Sequence, residues 1–142
     1  MLRDSAAILV YLGRKYGRGA WLPIDAAGEA RVQEWLATST SDVADSVGFA
    51  RLIVLFGAEG DLAAAQERSH MLLRRFEQHL AGGRYLVGDK PTIADIANYT
   101  YIAVAPDGGV ELDDYPAVRA WIARLEQLPG FEAAPVRPRK AA

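Results

Sequence analysis

The sequence predicts an all-α protein, a bundle of helices. Apolar residues recur at three- and four-residue intervals in five segments, and glycine or proline separates each segment from the next. No segment shows a strand-like alternation of convincing length. The chain of 142 residues has the size of one ordinary domain, and 51% of its residues are hydrophobic, enough to build a substantial core.

Composition excludes several functional classes. A net charge of −2 gives no bulk attraction to nucleic acid or to an anionic membrane. Because the chain has no cysteine, it has no disulfide framework, no thiolate metal ligand and no cysteine nucleophile. No signal peptide is visible, and the longest apolar run, residues 52–56, is too short to cross a bilayer. These features predict a cytoplasmic protein.

The first helix is predicted over residues 5–16. Ile8, Tyr11 and Leu12 place apolar side chains on one face, and Asp4 or Ser5 is a suitable N-cap. A helix this short is marginally stable alone, so this face is expected to dock on something.

A long second helix is predicted over residues 26–56. Its inward stripe includes Val54, and its hydroxyl-rich middle, residues 38–41, favours a bend or close packing. Residues 49–56 are apolar on more than one face, which predicts a partner and hence a homodimer.

Three further helices complete the predicted bundle. The helix over residues 62–80 turns Leu72, Leu73 and Phe76 inward and keeps Glu77 mostly outward. Another runs from residue 92 to about 105, and the last begins near Pro116. Residues 133–142 are predicted to be a flexible tail, whose basic residues are a frayed end and not a nucleic-acid patch.

The strongest local signal is a capping box at Thr92 and Asp95. The spacing lets the Thr92 side chain accept from the Asp95 amide while the Asp95 carboxylate accepts from the Thr92 amide. Asp95 also meets the positive end of the helix dipole. These two residues are predicted to be structural.

Candidate chemistry is sparse. His70 and His79 are nine residues apart, without cysteine or clustered carboxylates nearby, so no metal site is predicted. Asp4 and Ser5 are more informative, because free amides at a helix start and the Ser5 hydroxyl suit a carboxylate while Asp4 suits an ammonium group. An amino-acid end carries both charges. The alternative is that the pair merely caps the helix.

Together, three motifs resemble the glutathione S-transferase family, and its bacterial members in particular. Residues 4–12 are similar to the acidic-Ser-x-Ala-Ile-x-x-Tyr-Leu segment that ends the family's thioredoxin-like N-terminal domain. Residues 85–96 resemble the capping box of its all-helical C-terminal domain. Residues 115–131 resemble the last shared helix and the turn that closes it.

The resemblance implies a domain organisation. Residues 1–17 would be a remnant helix of the thioredoxin-like domain, 18–27 a linker, 28–132 the C-terminal-type helical domain and 133–142 the tail. In the family the acidic-Ser pair binds the γ-glutamyl end of glutathione, which assigns that substrate to Asp4 and Ser5.

The same resemblance also implies what the sequence lacks. Family members activate the glutathione thiol with a Tyr, Ser or Cys early in the thioredoxin-like domain, and no match to that region occurs here. The expectation is a truncated transferase, inactive alone, whose complete form conjugates glutathione to an electrophile. No catalytic residue and no cofactor besides glutathione as co-substrate is assigned. The alternative is a non-catalytic protein-interaction module.

Overall fold

The computed structural model describes residues 2–135, which form six α-helices and no strand. The predicted all-α fold is confirmed. A π-helical segment, Ser39–Gly48, joins the second helix to the third, and a 3₁₀ turn, Ala105–Gly108, follows the fifth. No helix in this range is long and apolar enough to cross a membrane. The helices are α1 Ser5–Tyr16, α2 Ala26–Thr38, α3 Phe49–Phe56, α4 Leu62–Ala81, α5 Ile93–Ile102 and α6 Pro116–Glu126.

Helix α5 lies at the centre of the bundle, in contact with α1, α2 and the π-helical segment. Buried Asn98 donates through Nδ2 to the Trp35 carbonyl of α2 at 2.9 Å, and Ser39 Oγ donates to the Ala97 carbonyl at 3.0 Å. Polar side chains therefore fix the depth at which α5 packs against the long helical run.

The N-terminus of α5 is held by the predicted capping box. Asp95 Oδ2 accepts from the Thr92 amide at 2.8 Å, and the Thr92 hydroxyl accepts from the Ala94 amide at 3.3 Å. The Asp95 carboxylate also accepts from the Leu86 amide and from Trp121 Nε1 of α6, each at 2.9 Å. Because Asp95 is fully buried, this one carboxylate ties the preceding turn, α5 and α6 together.

The long helix predicted over residues 26–56 is interrupted where the hydroxyl run occurs. Thr40 and Ser41 hydroxyls donate to carbonyls of the preceding turn, which weakens the regular α-helical bonding there. The wider turns of the π-helical segment shift the apolar stripe, since they advance less per residue around the axis. Val54, predicted to point inward, is 47% exposed as a result.

Glu77, predicted to point mostly outward, is half-buried and bonded to another helix. Both of its carboxylate oxygens accept hydrogen bonds at 2.9 Å from the first amides of α6, those of Ala117 and Val118. Tyr115 precedes that helix without a side-chain cap of its own. Glu77 supplies the missing acceptors from α4 and favours the positive end of the helix dipole.

Helix α1 contacts the bundle through a narrow strip. Its one fully buried residue is Gly13, where an added Cβ would lie 3.3 Å from Ile93 Cγ2. The apolar face predicted from the sequence points elsewhere, because Ile8, Tyr11 and Leu12 are 38–45% exposed. Within residues 2–135 that face is only partly covered.

The segment after α6 is anchored as far as Ala134. Tyr99 Oη donates to Glu126 at 2.7 Å and accepts from the Ala134 amide at 3.1 Å, while Phe131 packs edge-on against the Tyr99 ring. Burial is the main cause that raises the pKa of Tyr99 above its ordinary value, so its hydroxyl stays a protonated donor to higher pH than that of an exposed tyrosine. The predicted basic tail falls mostly on residues 136–142, outside the described range.

Candidate functional site

A groove of about 570 Å³ lies between α1, the π-helical segment and α5, within the size range of small-molecule sites. Asp4 and Ser5 lie in its wall, at the start of α1. The rest of the lining is apolar or carries hydroxyl groups, and none of it is Lys, Arg or His. The apolar part consists of Ala6, Ile8, Leu9, Ala44, Ile96 and Ala97.

The start of α1 retains unused hydrogen-bonding groups. Asp4 caps the helix with Oδ1, which accepts from the Ala7 amide at 2.9 Å, and its other carboxylate oxygen has no partner in the described chain. The amides of Ser5 and Ala6 and the Ser5 hydroxyl likewise have no protein acceptor within residues 2–135. Both Asp4 and Ser5 are exposed to solvent. The start of α1 is therefore capped by Asp4 and still has unused donors and an unused acceptor.

The other hydroxyl groups of the groove divide into two kinds. Ser39, Thr40 and Thr100 donate to main-chain carbonyls at 3.0–3.2 Å, so their protons are already used. The Tyr101 hydroxyl makes no hydrogen bond to any described residue, and the side chain is 39% exposed. Tyr101 is therefore the one phenolic donor in this lining that remains available.

The predicted capping-box residues lie away from the groove. Thr92 is 4% exposed and Asp95 is fully buried, and neither lines the groove. Their hydrogen bonds are all to protein groups. Of the two residue pairs that the sequence analysis identified, Thr92 and Asp95 lie in the core. Asp4 and Ser5 lie beside a space that could hold a ligand.

The two histidines have separate protein partners. His70 Nδ1 lies 2.8 Å from the Tyr115 hydroxyl, and His79 Nε2 lies 3.0 Å from the Leu86 carbonyl. Within residues 2–135 there is no group of three or more His, Cys, Asp or Glu residues arranged to hold a metal ion.

Sequence reasoning did not identify the remaining groove residues. The hydroxyl run at residues 38–41 was a signal for Ser39 and Thr40, but it predicted a bend and not a ligand surface. Thr100 and Tyr101 carried no signal, because only the packing of α5 between α1 and the π-helical segment places them there.

Comparison with curated proteins finds relatives along nearly the whole chain. A glutathione S-transferase named verG, from Clonostachys rogersoniana, is 30% identical over 141 residues, which cover 92% of this chain and 59% of the relative. Glutathione S-transferase theta-2 of Mus musculus is 28% identical, over 93% of this chain and 58% of its own length. The chain therefore spans about three fifths of the length of these relatives.

A solved structure supports the same relationship. The glutathione S-transferase of Xanthobacter autotrophicus Py2 superposes with a TM-score of 0.87 at 35% identity, over 94% of this chain and 66% of that one. Residues 55–129 match the family described as glutathione S-transferase, C-terminal domain. With its helical bundle and capping box, the chain belongs to the glutathione S-transferase family through this C-terminal domain.

Proposed function

We propose that this chain supplies the helical half of a glutathione transferase and holds the γ-glutamyl end of glutathione at Asp4 and Ser5. The observation that carries the proposal is the set of unused groups at the start of α1, which lies in the wall of a ligand-sized groove. The relatives named above are glutathione S-transferases, which supports glutathione as the ligand class.

The chemistry of the two residues fits the two charges of an α-amino acid. The Ser5 hydroxyl and the amides of Ser5 and Ala6 donate to the carboxylate, and the helix dipole favours the negative charge there. The second oxygen of Asp4 accepts from the ammonium group, while its first oxygen keeps the helix capped. Binding therefore requires no rearrangement of α1.

Thiol activation is a separate requirement, which these residues do not meet under this proposal. A transferase lowers the barrier by stabilising the thiolate with donors placed at the sulfur. Asp4 and Ser5 bind the γ-glutamyl end of glutathione, which is the end opposite the glycine. These two residues therefore lie away from the thiol. Within residues 2–135 there is no strand of a thioredoxin-like sheet, which in the family carries the activating residue.

The expected result is that the purified 142-residue chain shows no glutathione-dependent conjugation of 1-chloro-2,4-dinitrobenzene above the uncatalysed rate. The reason is that binding the substrate without stabilising the thiolate does not accelerate the reaction. The measurement is the absorbance of the conjugate at several enzyme concentrations. A rate that rises in proportion to enzyme concentration would contradict the proposal that this chain is inactive alone.

We also propose that the chain forms a homodimer through α3. Leu52 and Phe56, one turn apart on that helix, are 48% and 67% exposed and share a face, an apolar surface that a second copy would cover. Sedimentation velocity should show a dimer that a charged substitution, Leu52→Glu, converts to monomer. A clean monomer at high concentration of the parent chain would contradict this assembly.

A further inference from the structure

We infer that α6 is an interaction surface that binds the α6 of a second copy of this chain, with the two helices antiparallel. The surface is a groove of about 540 Å³ along α6, and its lining includes Arg119 and Glu126. Helices α1 and α3 contribute no residue to this groove, so the contact is separate from the glutathione site and from the dimer contact proposed above. The inference therefore does not rest on the proposed function.

The floor of the groove is apolar and only partly covered. Ala103, Leu112 and Ile122 form it, and each of them is half-buried against the core. Ala120 and Ala123 of α6 line the same groove and are exposed. Because these two side chains are small, the backbone of a second helix can come close to the floor and remove its apolar surface from water.

The two charged residues of the groove can both take an external partner. Arg119 Nη1 lies 3.7 Å from Asp113 Oδ1, too far for a hydrogen bond, and the two side chains are 59% and 87% exposed, so this pair contributes little. Glu126 Oε1 accepts from the Tyr99 hydroxyl at 2.7 Å, and its other carboxylate oxygen has no partner within residues 2–135.

The spacing of these charges fits a second copy of the same helix. Arg119 and Glu126 are seven residues apart, which places them on one side of α6 and about 10 Å apart along its axis. A two-fold axis near Ala123 would turn a second α6 end for end and set Arg119 of each copy against Glu126 of the other. A parallel arrangement would instead set each charge against its own equivalent, which is repulsive.

The expected association is weak, since one helix of 11 residues, about 16 Å long, offers less surface than the roughly 1,600 Å² that stable interfaces bury. The test therefore uses concentrated protein. All proteins carry Leu52→Glu, which removes the proposed α3 contact, so that any remaining self-association is through another surface.

Sedimentation equilibrium over a concentration series measures the association. Arg119→Glu and Glu126→Lys are each expected to weaken it by about tenfold or more, because both pairs at the two-fold become like-charged. An equimolar mixture of the two variants is expected to regain the association of their Leu52→Glu parent, since opposite charges again face each other in both pairs. No association of that parent, or a mixture no stronger than either variant, would overturn the inference.

Three further variants serve as controls. Lys90→Glu and Glu67→Lys make the same charge changes at exposed positions outside the groove and are expected to leave the association unchanged. An equal loss with these variants would assign the effect to net charge and overturn the inference. Glu126→Gln can still accept from the Tyr99 hydroxyl, so it is expected to weaken association by a smaller factor with the fold intact, which keeps the test valid if Glu126→Lys does not fold.

Cysteine crosslinking tests the orientation, because the natural chain has no cysteine. Ala123→Cys places one thiol beside the expected two-fold axis, and oxidation should join two copies. Ala120→Cys lies on the same exposed face, but in the antiparallel arrangement its two copies are too far apart for a disulfide. Rapid crosslinking of Ala123→Cys and not of Ala120→Cys is the expected result. Equal crosslinking of both variants, or of neither, would overturn the antiparallel contact.

Discussion

Replacing Asp95 with alanine is expected to lower the free energy of unfolding by about 3–5 kcal/mol, because it strands several buried donors at once. The carboxylate accepts from the amides of Leu86 and Thr92, the Thr92 hydroxyl and Trp121 Nε1, all within 3.1 Å. An ordinary N-cap, which is what the sequence alone predicts here, is worth only about 1–2 kcal/mol. The excess comes from the contacts to the preceding turn and to α6.

Asp61→Ala is the matched control for this prediction. Asp61 caps α4 through a single bond to the Ala64 amide at 2.9 Å and is exposed, so its loss should cost about 1 kcal/mol. Urea denaturation followed by far-UV circular dichroism measures both variants. Equal destabilisation by the two substitutions would show that the additional partners of Asp95 contribute nothing.

Ser5→Ala is expected to weaken glutathione binding by about tenfold to a hundredfold, the loss of one hydrogen bond to a charged carboxylate. Isothermal titration calorimetry on parent and variant measures the change. The helix itself should be unaffected, since Asp4 retains its cap to the Ala7 amide and alanine is the best helix former.

Ser41→Ala is the corresponding control, because Ser41 is an exposed serine whose hydroxyl donates to the Ala37 carbonyl and does not line the groove. It should bind glutathione as the parent does. Asp4→Asn should also weaken binding, since asparagine still caps the helix but removes the charge that pairs with the ammonium group. If Ser5→Ala binds glutathione as tightly as the parent, the role assigned to Ser5 is wrong.

Local sequence signals predicted much of the helical framework. The bounds of α1 follow from Asp4 as its cap and Gly17 at its end, and the predicted range is the observed one, Ser5–Tyr16. Gly88, in the turn before α5, has φ of +72°, a backbone conformation that glycine adopts without strain. The box at Thr92 and Asp95 is equally local, because its residues lie within one helical turn.

Features that depend on distant contacts were not predictable in this way. In the sequence, Glu77 cannot be distinguished from a solvated glutamate. Its partners are the first amides of α6, about 40 residues later in the chain. The hydroxyl residues of the long helix predicted a bend near the π-helical segment. They did not predict that this segment would change which face of the helix carries Val54. Tyr101 lines the groove only because α5 packs beside α1 and the π-helical segment.

The most direct test of the account is a glutathione titration of the isotope-labelled chain, read from its amide chemical shifts. Glutathione is expected to cause saturable shifts centred on the amides of Ser5 and Ala6. Glutathione whose amino group is acetylated should have much weaker effects, because that analogue lacks the charge that pairs with Asp4. Shifts centred elsewhere on the bundle, or equal binding of the acetylated analogue, would contradict this account.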